Sequence, residues 1–170
     1  AIGHGVTKDV AQAYKWSRKA AEQNVPEAQF NVGVCYENGH GVEKDMVEAA
    51  KWYRKAAEQG LAGAQYNLGS CCKHGTGVKT NEVEAVKWYT KAADQNYALA
   101  QHNLGICYAR AQGVPTDAAE AYKWFILAAA QDVPESKAAL PSVEAQLTPE
   151  QMAEGKSRAN KWLVAHKKPE

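Results

Sequence analysis

Between Asp45 and Gly60, alanine, tryptophan and alanine fall at positions 49, 52 and 56. This i, i+3, i+7 spacing marks one face of an α-helix. Tyr53 stands beside Trp52 and widens that face. Asp45 is a good N-cap, with Glu48 placed three residues on to complete a capping box. Asp9 with Gln12, Asn81 with Glu84 and Asp117 with Glu120 repeat the device. The helix is expected to end at Gly60, and its counterparts at Asn24, Asn96 and Asp132, the first two being residue types that tolerate a left-handed C-cap. A second helical pattern precedes each of these, starting near Pro26, Ala62, Ala98 and Pro134. Its packed face in the first full copy is Ala28, Val32, Gly33 and Tyr36. A glycine inside a helix costs about 1 kcal/mol relative to alanine. Its recurrence at Gly69 and Gly105 therefore implies close approach of the paired helix, with Ala49 and Ala56 facing Gly33. No segment alternates at strand period, so no sheet is expected.

These patterns share one ruler. Trp16, Trp52, Trp88 and Trp124 are spaced by 36 residues, and Trp162 follows 38 residues after the last. The strings Ala13-Tyr14-Lys15-Trp16, Ala49-Ala50-Lys51-Trp52, Ala85-Val86-Lys87-Trp88 and Ala121-Tyr122-Lys123-Trp124 keep the step, as do Ala28-Gln29, Ala64-Gln65 and Ala100-Gln101. A period of this length means an all-α solenoid of stacked helix-turn-helix repeats. The predicted divisions are a partial repeat over 1–25 (loop plus second helix), repeats over 26–60, 61–96 and 97–132, degenerate capping helices over 133–166, and a tail over 167–170. In the capping region Thr148-Pro149-Glu150-Gln151 is a strong helix start, and Pro141 should bend or interrupt the helix before it. The chain opens in mid-repeat, so it reads as a fragment whose first helix, Val10 to Asn24, lacks its preceding neighbour. The inward apolar face of that helix is therefore expected to be exposed, while Trp162 in the capping region is expected to turn inward.

The net charge of +1 shows no concentrated basic patch, which argues against nucleic acid as a partner. No apolar run approaches membrane-spanning length. Cys35, Cys71 and Cys107 occupy one register, and Cys72 follows Cys71. Equivalent sites in stacked hairpins lie about 9–10 Å apart, beyond the roughly 7 Å a disulfide allows between Cα atoms. They read as free thiols serving as small hydrophobes, and the compartment stays open. Cys71, Cys72 and His74 lack structural zinc spacing, and no nucleophile elbow, metalloprotease or phosphate-loop motif is present. The Gly-x-Gly loops follow helices rather than strands, so no nucleotide fingerprint is read. No cofactor and no metal are called for.

The string Ala-Gln-x-Asn-x-Gly, then Gly-x-Gly-Val, then Ala-x-Lys-Trp and Lys-Ala-Ala-x-Gln resembles the Sel1-like repeat family, a relative of the tetratricopeptide repeats. The match runs from about residue 1 to 132, with Cys72, Ala111 and Asn81 as departures from its usual tyrosine, glycine and aspartate. The resemblance implies a right-handed superhelix whose first helices line a concave face, and a role as adaptor or scaffold. It also implies that Asn31, Asn67 and Asn103 stand where related domains hold a peptide backbone or C-terminal carboxylate. The alternative for this asparagine series is bonding between neighbouring helices.

First-helix positions expected to face the groove differ between repeats: Glu27, Phe30, Val34 and Asn38, then Tyr66, Ser70, Lys73 and His74, then Leu99, His102, Ile106 and Arg110. Varied side chains on a constant frame are how repeat surfaces distinguish partners. The expected function is a non-enzymatic interaction module that binds a peptide or partner helix. A scaffold segment self-associating through the N-terminal helix is the first alternative, and a cysteine-dependent enzyme the second.

Overall fold

The computed structural model describes residues 3–166, with side chains from Asp9 onward. Every element among these is helical: α1 (Gly3–Glu22), α2 (Pro26–Asn38), α3 (Met46–Glu58), α4 (Ala62–His74), α5 (Glu82–Asp94), α6 (Ala98–Arg110), α7 (Ala118–Ala130), α8 (Pro134–Glu144) and α9 (Pro149–Ala165). Two compact units divide at Asn81 and Glu82. The tail over 167–170 lies outside the described residues.

In the first unit each helix packs on the next, α1 on α2, α2 on α3 and α3 on α4. α2 and α3 approach closely at Gly33, where an added Cβ would stand 2.6 Å from the Tyr53 ring and 3.3 Å from the Ala49 carbonyl oxygen. The glycine thus makes room for an aromatic ring, not for small alanine side chains as expected. Ala28, Val32, Trp52 and Ala21 form the buried core beside this contact, with Tyr14, Ala20 and Tyr36 at its edge. The Trp52 ring carries Lys55 Nζ 4.0 Å and Arg18 Cζ 4.6 Å from its centroid, contacts worth about 0.5–2 kcal/mol each.

A polar relay fixes the turn between α1 and α2. Asn24 adopts φ 65°, as the expected left-handed cap requires. Its side-chain oxygen accepts from Gln29 Nε2 at 3.0 Å and from Gln59 Nε2 at 3.2 Å. Gln59 Nε2 also donates to Gln29 Oε1 at 2.7 Å. In the second unit Asn96, Gln101 and Gln131 make the same triangle, at 3.1, 2.9 and 2.7 Å. A buried amide left unpaired would cost about 1–3 kcal/mol, so the relay holds Gln29 and Gln101 in register.

The capping boxes of α3 and α7 form only half-way. Asp45 accepts from the backbone N–H of Val47 and Glu48 at 2.8 and 3.1 Å, and Asp117 accepts from Glu120 at 2.9 Å. The reciprocal half is missing because the N–H of Asp45 donates to the Tyr36 carbonyl and that of Asp117 to the Tyr108 carbonyl. Glu48 and Glu120 turn instead to Lys51 and Lys123. Thr148 and Gln151 complete both halves at the start of α9.

Two further expectations are corrected, the loop around Gly5 and an interruption at Pro141. α1 runs unbroken from Gly3, so Gly5 lies in a helix and Asp9 lies inside it rather than at its cap. The later loops are held by seats on earlier helices. An added Cβ on Gly41 would meet the Val10 carbonyl oxygen at 2.7 Å, and one on Gly77 the Met46 carbonyl oxygen at 1.9 Å. The backbone at Gly5 instead continues the helix, gaining a hydrogen bond per residue. α8 passes through Pro141 to Glu144 without interruption. Proline removes one donor there, but the Ala145 N–H still closes onto the Pro141 carbonyl at 3.1 Å, and Glu144 is tied to the Tyr122 hydroxyl. Trp16 is 63% exposed, as expected for the open face of this helix, against 4% for Trp52, 8% for Trp88, 3% for Trp124 and 8% for Trp162. Among the described residues no first helix covers Trp16 as α2 covers Trp52.

In the second unit α5 packs on α6, α6 on α7, and α7 on both α8 and α9. Gly105 meets the Phe125 ring at 3.0 Å, and Gly113 the Glu82 carbonyl oxygen at 2.3 Å, each measured to an added Cβ. α9 docks by the same means. Its Gly155 would bring a Cβ to 2.9 Å from the Ala119 carbonyl oxygen and 2.8 Å from Tyr122. Farther along, Trp162 lies edge-on to Trp124 with ring centroids 6.1 Å apart.

Two measurements check this packing. Trp52→Ala should lower unfolding free energy by about 3–5 kcal/mol, while Trp16→Ala should stay within about 0.5 kcal/mol of the parent, both read by urea titration. Ala111 ends α6 at φ 55°, where Gly39 and Gly75 end α2 and α4. A left-handed L-residue costs about 1–2 kcal/mol, and glycine returns about 0.4–1 kcal/mol through the unfolded chain. Ala111→Gly should therefore raise the urea midpoint, by about 0.5 kcal/mol of stability.

Candidate functional site

The first helices α2 and α4 present one candidate surface in the first unit. On α2, Glu27, Asn31 and Asn38 are exposed, and Phe30 and Val34 are half-buried. Asn38 is engaged locally, its Nδ2 donating to the Val34 carbonyl at 3.0 Å. On α4, Tyr66, Asn67, Ser70 and Lys73 are half-buried and His74 is exposed. Asn67 is not free for a ligand. Its amide bonds the Tyr53 hydroxyl, which in turn donates to the Glu37 carboxylate. Burial, reinforced by Glu37, pushes the Tyr53 phenol far above its usual value, and the Asn67 bond pulls slightly the other way. Phe125 stands at the register of Tyr53 without a hydroxyl, and the asparagine that would follow it is Ala139. Asn67 and Asn103 follow Tyr53 and Tyr89 in register, as a helix-to-helix bond requires, whereas exposed Asn31 follows Ser17 and has no such hydroxyl before it.

Lys73 makes no ion pair among the described residues. It occupies the register of Glu37 and Ala109, so the charge at this place differs between repeats on an unchanged frame.

In the second unit α6 carries the corresponding set. Leu99 and Arg110 are exposed, and His102, Asn103 and Ile106 are half-buried. His102 Nδ1 lies 2.8 Å from the Oγ of the fully buried Ser136, and its ring meets Phe125 edge-on at 5.7 Å. This histidine therefore joins α6 to α8. Arg110 makes no ion pair among the described residues.

None of the four cysteines forms a disulfide; Cys71, Cys72 and Cys107 are buried and Cys35 is half-buried. Burial pushes the pKa of Cys35 and of Cys71 upward, which disfavours the nucleophilic thiolate. Among the described residues no three His, Cys, Asp or Glu side chains gather as a metal site would need. No described helix is long and apolar enough to cross a membrane.

The densest charge cluster went unread in the sequence because its members are 41 residues apart. Arg158 of α9 donates to Asp117 at 2.7 Å, Glu120 at 3.2 Å and Glu154 at 2.9 Å. It fastens α9 onto the start of α7, and is structural. Tyr122 nearby is pushed up to about 12 by burial and by its bond to Glu144.

Stacked helical hairpins with a varied first-helix surface define the class as a helical-repeat solenoid. The Sel1 repeat family matches residues 2–25, 26–61, 62–97 and 98–133, and the chain belongs to that family. A Sel1 repeat protein from Oxalobacter formigenes shares 37% identity and superposes with a TM-score of 0.76, over 91% of this chain and 63% of that one. The protective antigen c5321 of uropathogenic Escherichia coli, which has the SLR fold, shares 28% identity with a TM-score of 0.68, over 89% of this chain and 40% of that one. The chain thus spans less than two thirds of either neighbour. A search of the curated proteins finds no match.

The Arg158 clamp has a pH signature. Burial acts to raise the Asp117 pKa, but the Arg158 guanidinium and the backbone N–H groups of Glu120 and Ala119 outweigh it and leave the carboxyl below its usual value. A carboxyl depressed by folding adds stability above its unfolded pKa, about 3.9, and that stability is lost as pH falls through the lower folded value. Urea midpoints should therefore drop below about pH 4, and Asp117→Asn should flatten that drop.

Proposed function

We propose that the chain is a non-enzymatic protein-interaction module that takes an extended peptide or partner helix on the first-helix surface of either unit. The observation that carries this reading is an unneutralised cation in each unit, Lys73 on α4 of the first and Arg110 on α6 of the second, at registers where the other repeats carry different side chains. Their charge favours a partner segment bearing carboxylates. In the first unit Asn31, exposed on α2, supplies an amide able to donate and accept at once; the bond of Asn67 to Tyr53 leaves it a supporting part, and Tyr66, Ser70 and His74 fill out the surface. In the second unit Asn103 and Ile106 stand with Arg110 on α6.

Lys73→Glu combined with Arg110→Glu should cut retention of bound partners on the immobilised chain at least tenfold, with helix content by circular dichroism unchanged. Partners that survive both reversals would show that the surface is wrongly assigned.

A second reading is favoured by the exposure of Trp16. In it, the chain is a scaffold segment whose α1 makes end contacts with another molecule, another copy included. Sedimentation at rising concentration tests the self-association arm of this reading.

A further inference from the structure

We infer that a cleft between the ends of α6 and α8 is an anchor pocket of the second unit. It takes one aromatic side chain of a peptide whose flanking residues are aspartate or glutamate and pair with Arg110. The inference rests on the interaction reading above and names what the second-unit surface recognises.

Two small residues in register open the cleft. Positions 37, 73 and 109 are equivalent and hold Glu37, Lys73 and Ala109. Glu37 has a use, because the Tyr53 hydroxyl donates to it. Phe125, at the register of Tyr53, has no hydroxyl to offer, so no carboxylate is called for at 109. Positions 46, 82 and 118 likewise hold Met46, Glu82 and Ala118. Alanine at both 109 and 118 removes the longer side chain from two sides of one space, which measures about 170 Å³.

The remaining walls are fixed by the hairpin. Tyr108 comes from α6, Ala121 from α7, Val143 from α8 and Leu147 from the turn before α9. That turn spans only 145–148, whereas 111–117 join α6 to α7. The N–H groups of Gln146 and Leu147 donate to the carbonyls of Val143 and Glu144 at 3.0 and 3.2 Å. At the other end of α8, Ser136 meets His102 of α6 at 2.8 Å. Both helices that bound the cleft are thus tied before a ligand arrives, and such preorganisation lowers the cost of binding.

Size and charge choose the occupant. An apolar cavity of about 150 Å³ accepts a benzene ring, and the Tyr108 ring offers a second aromatic surface to pack on. Thr116 and Gln146 edge the cleft and are exposed, so a side chain can enter while its backbone stays outside. Arg110, next to Ala109, is exposed and makes no ion pair among the described residues. The carboxylates nearest in sequence to the walls are engaged. Asp117 and Glu120 hold Arg158, and Glu144 takes the Tyr122 hydroxyl. A carboxylate beside the incoming ring is therefore favoured.

The test titrates the isotope-labelled chain with the blocked peptide Gly-Glu-Phe-Glu-Gly and follows amide and methyl NMR shifts. Saturable shifts are expected at Ala109, Ala118, Val143 and Leu147. Replacing the peptide's phenylalanine by alanine, or both its glutamates by lysine, should weaken binding at least tenfold. Arg110→Glu should do the same. So should Ala118→Met, which restores the side chain of Met46 at that register and leaves Arg110 in place. Absence of shifts at the four positions, or equal binding of the alanine or lysine peptide, overturns the inference. Unchanged binding to a folded Ala118→Met chain also overturns it, and if that variant loses its fold the alanine peptide decides alone. Binding of N-acetylphenylalanine amide as tight as that of the peptide marks a small-molecule site and overturns it too. Shifts confined to Asn103, Ile106 and Arg110 overturn the pocket while leaving the interaction reading standing.

Discussion

The close contact between a first helix and the second helix of its hairpin is the constraint on which the structure depends. At Gly33 and Gly105 the backbone comes so near an aromatic ring that a Cβ would overlap it or press hard against it. That nearness lets Ala28 and Val32, or Ala100 and Leu104, be buried completely or nearly so. A helix interior pays about 1 kcal/mol for glycine, and the contact returns more through the tryptophan and alanines it covers, at about 25 cal/mol per Å² of apolar surface removed from water. Remove the first helix and the result is α1, where the same residues face solvent.

Polar groups then set how one hairpin meets the next. The Asn24–Gln29–Gln59 triangle and its counterpart Asn96–Gln101–Gln131 bury amides only where each finds a partner. The carbonyls of Tyr36 on α2 and Tyr108 on α6 take the N–H of Asp45 and Asp117, which releases Glu48 and Glu120 from capping. Glu120 can then join Asp117 in holding Arg158, so a change in one turn decides how the last helix docks. Because the repeat interfaces use backbone seats, small residues and paired amides, exposed positions such as 38, 74 and 110 can change without disturbing the frame. That freedom is what an interaction surface needs.

The candidate surface was legible in part. Lys73 and Arg110 stand on first helices without ion pairs among the described residues. Asn67 and His102 carry residue types suited to binding, yet Tyr53 and Ser136 occupy them. No local pattern distinguishes an amide that awaits a ligand from one that closes a tertiary bond. The distinction lies in a partner 14 residues away for Asn67 and 34 for His102. A tyrosine 14 residues before Asn67 and Asn103, with Ser17 in that place before Asn31, was a signal within the sequence that separates the two cases.

Helix type, helix starts at Pro26, Ala62, Ala98 and Pro134, the left-handed turns and the repeat itself follow from local chemistry. Periodicity, capping residues and proline or glycine at fixed offsets act over one or two helical turns, and the ruler repeats them. What the tertiary structure decided were facts that need two distant segments at once. These are the half-formed capping boxes, the continuous helix through Pro141, the helical start at Gly3 and the Arg158 clamp. Five tryptophans look alike along the chain, but burial belongs to the surface that arrives opposite, and among the described residues none arrives for Trp16.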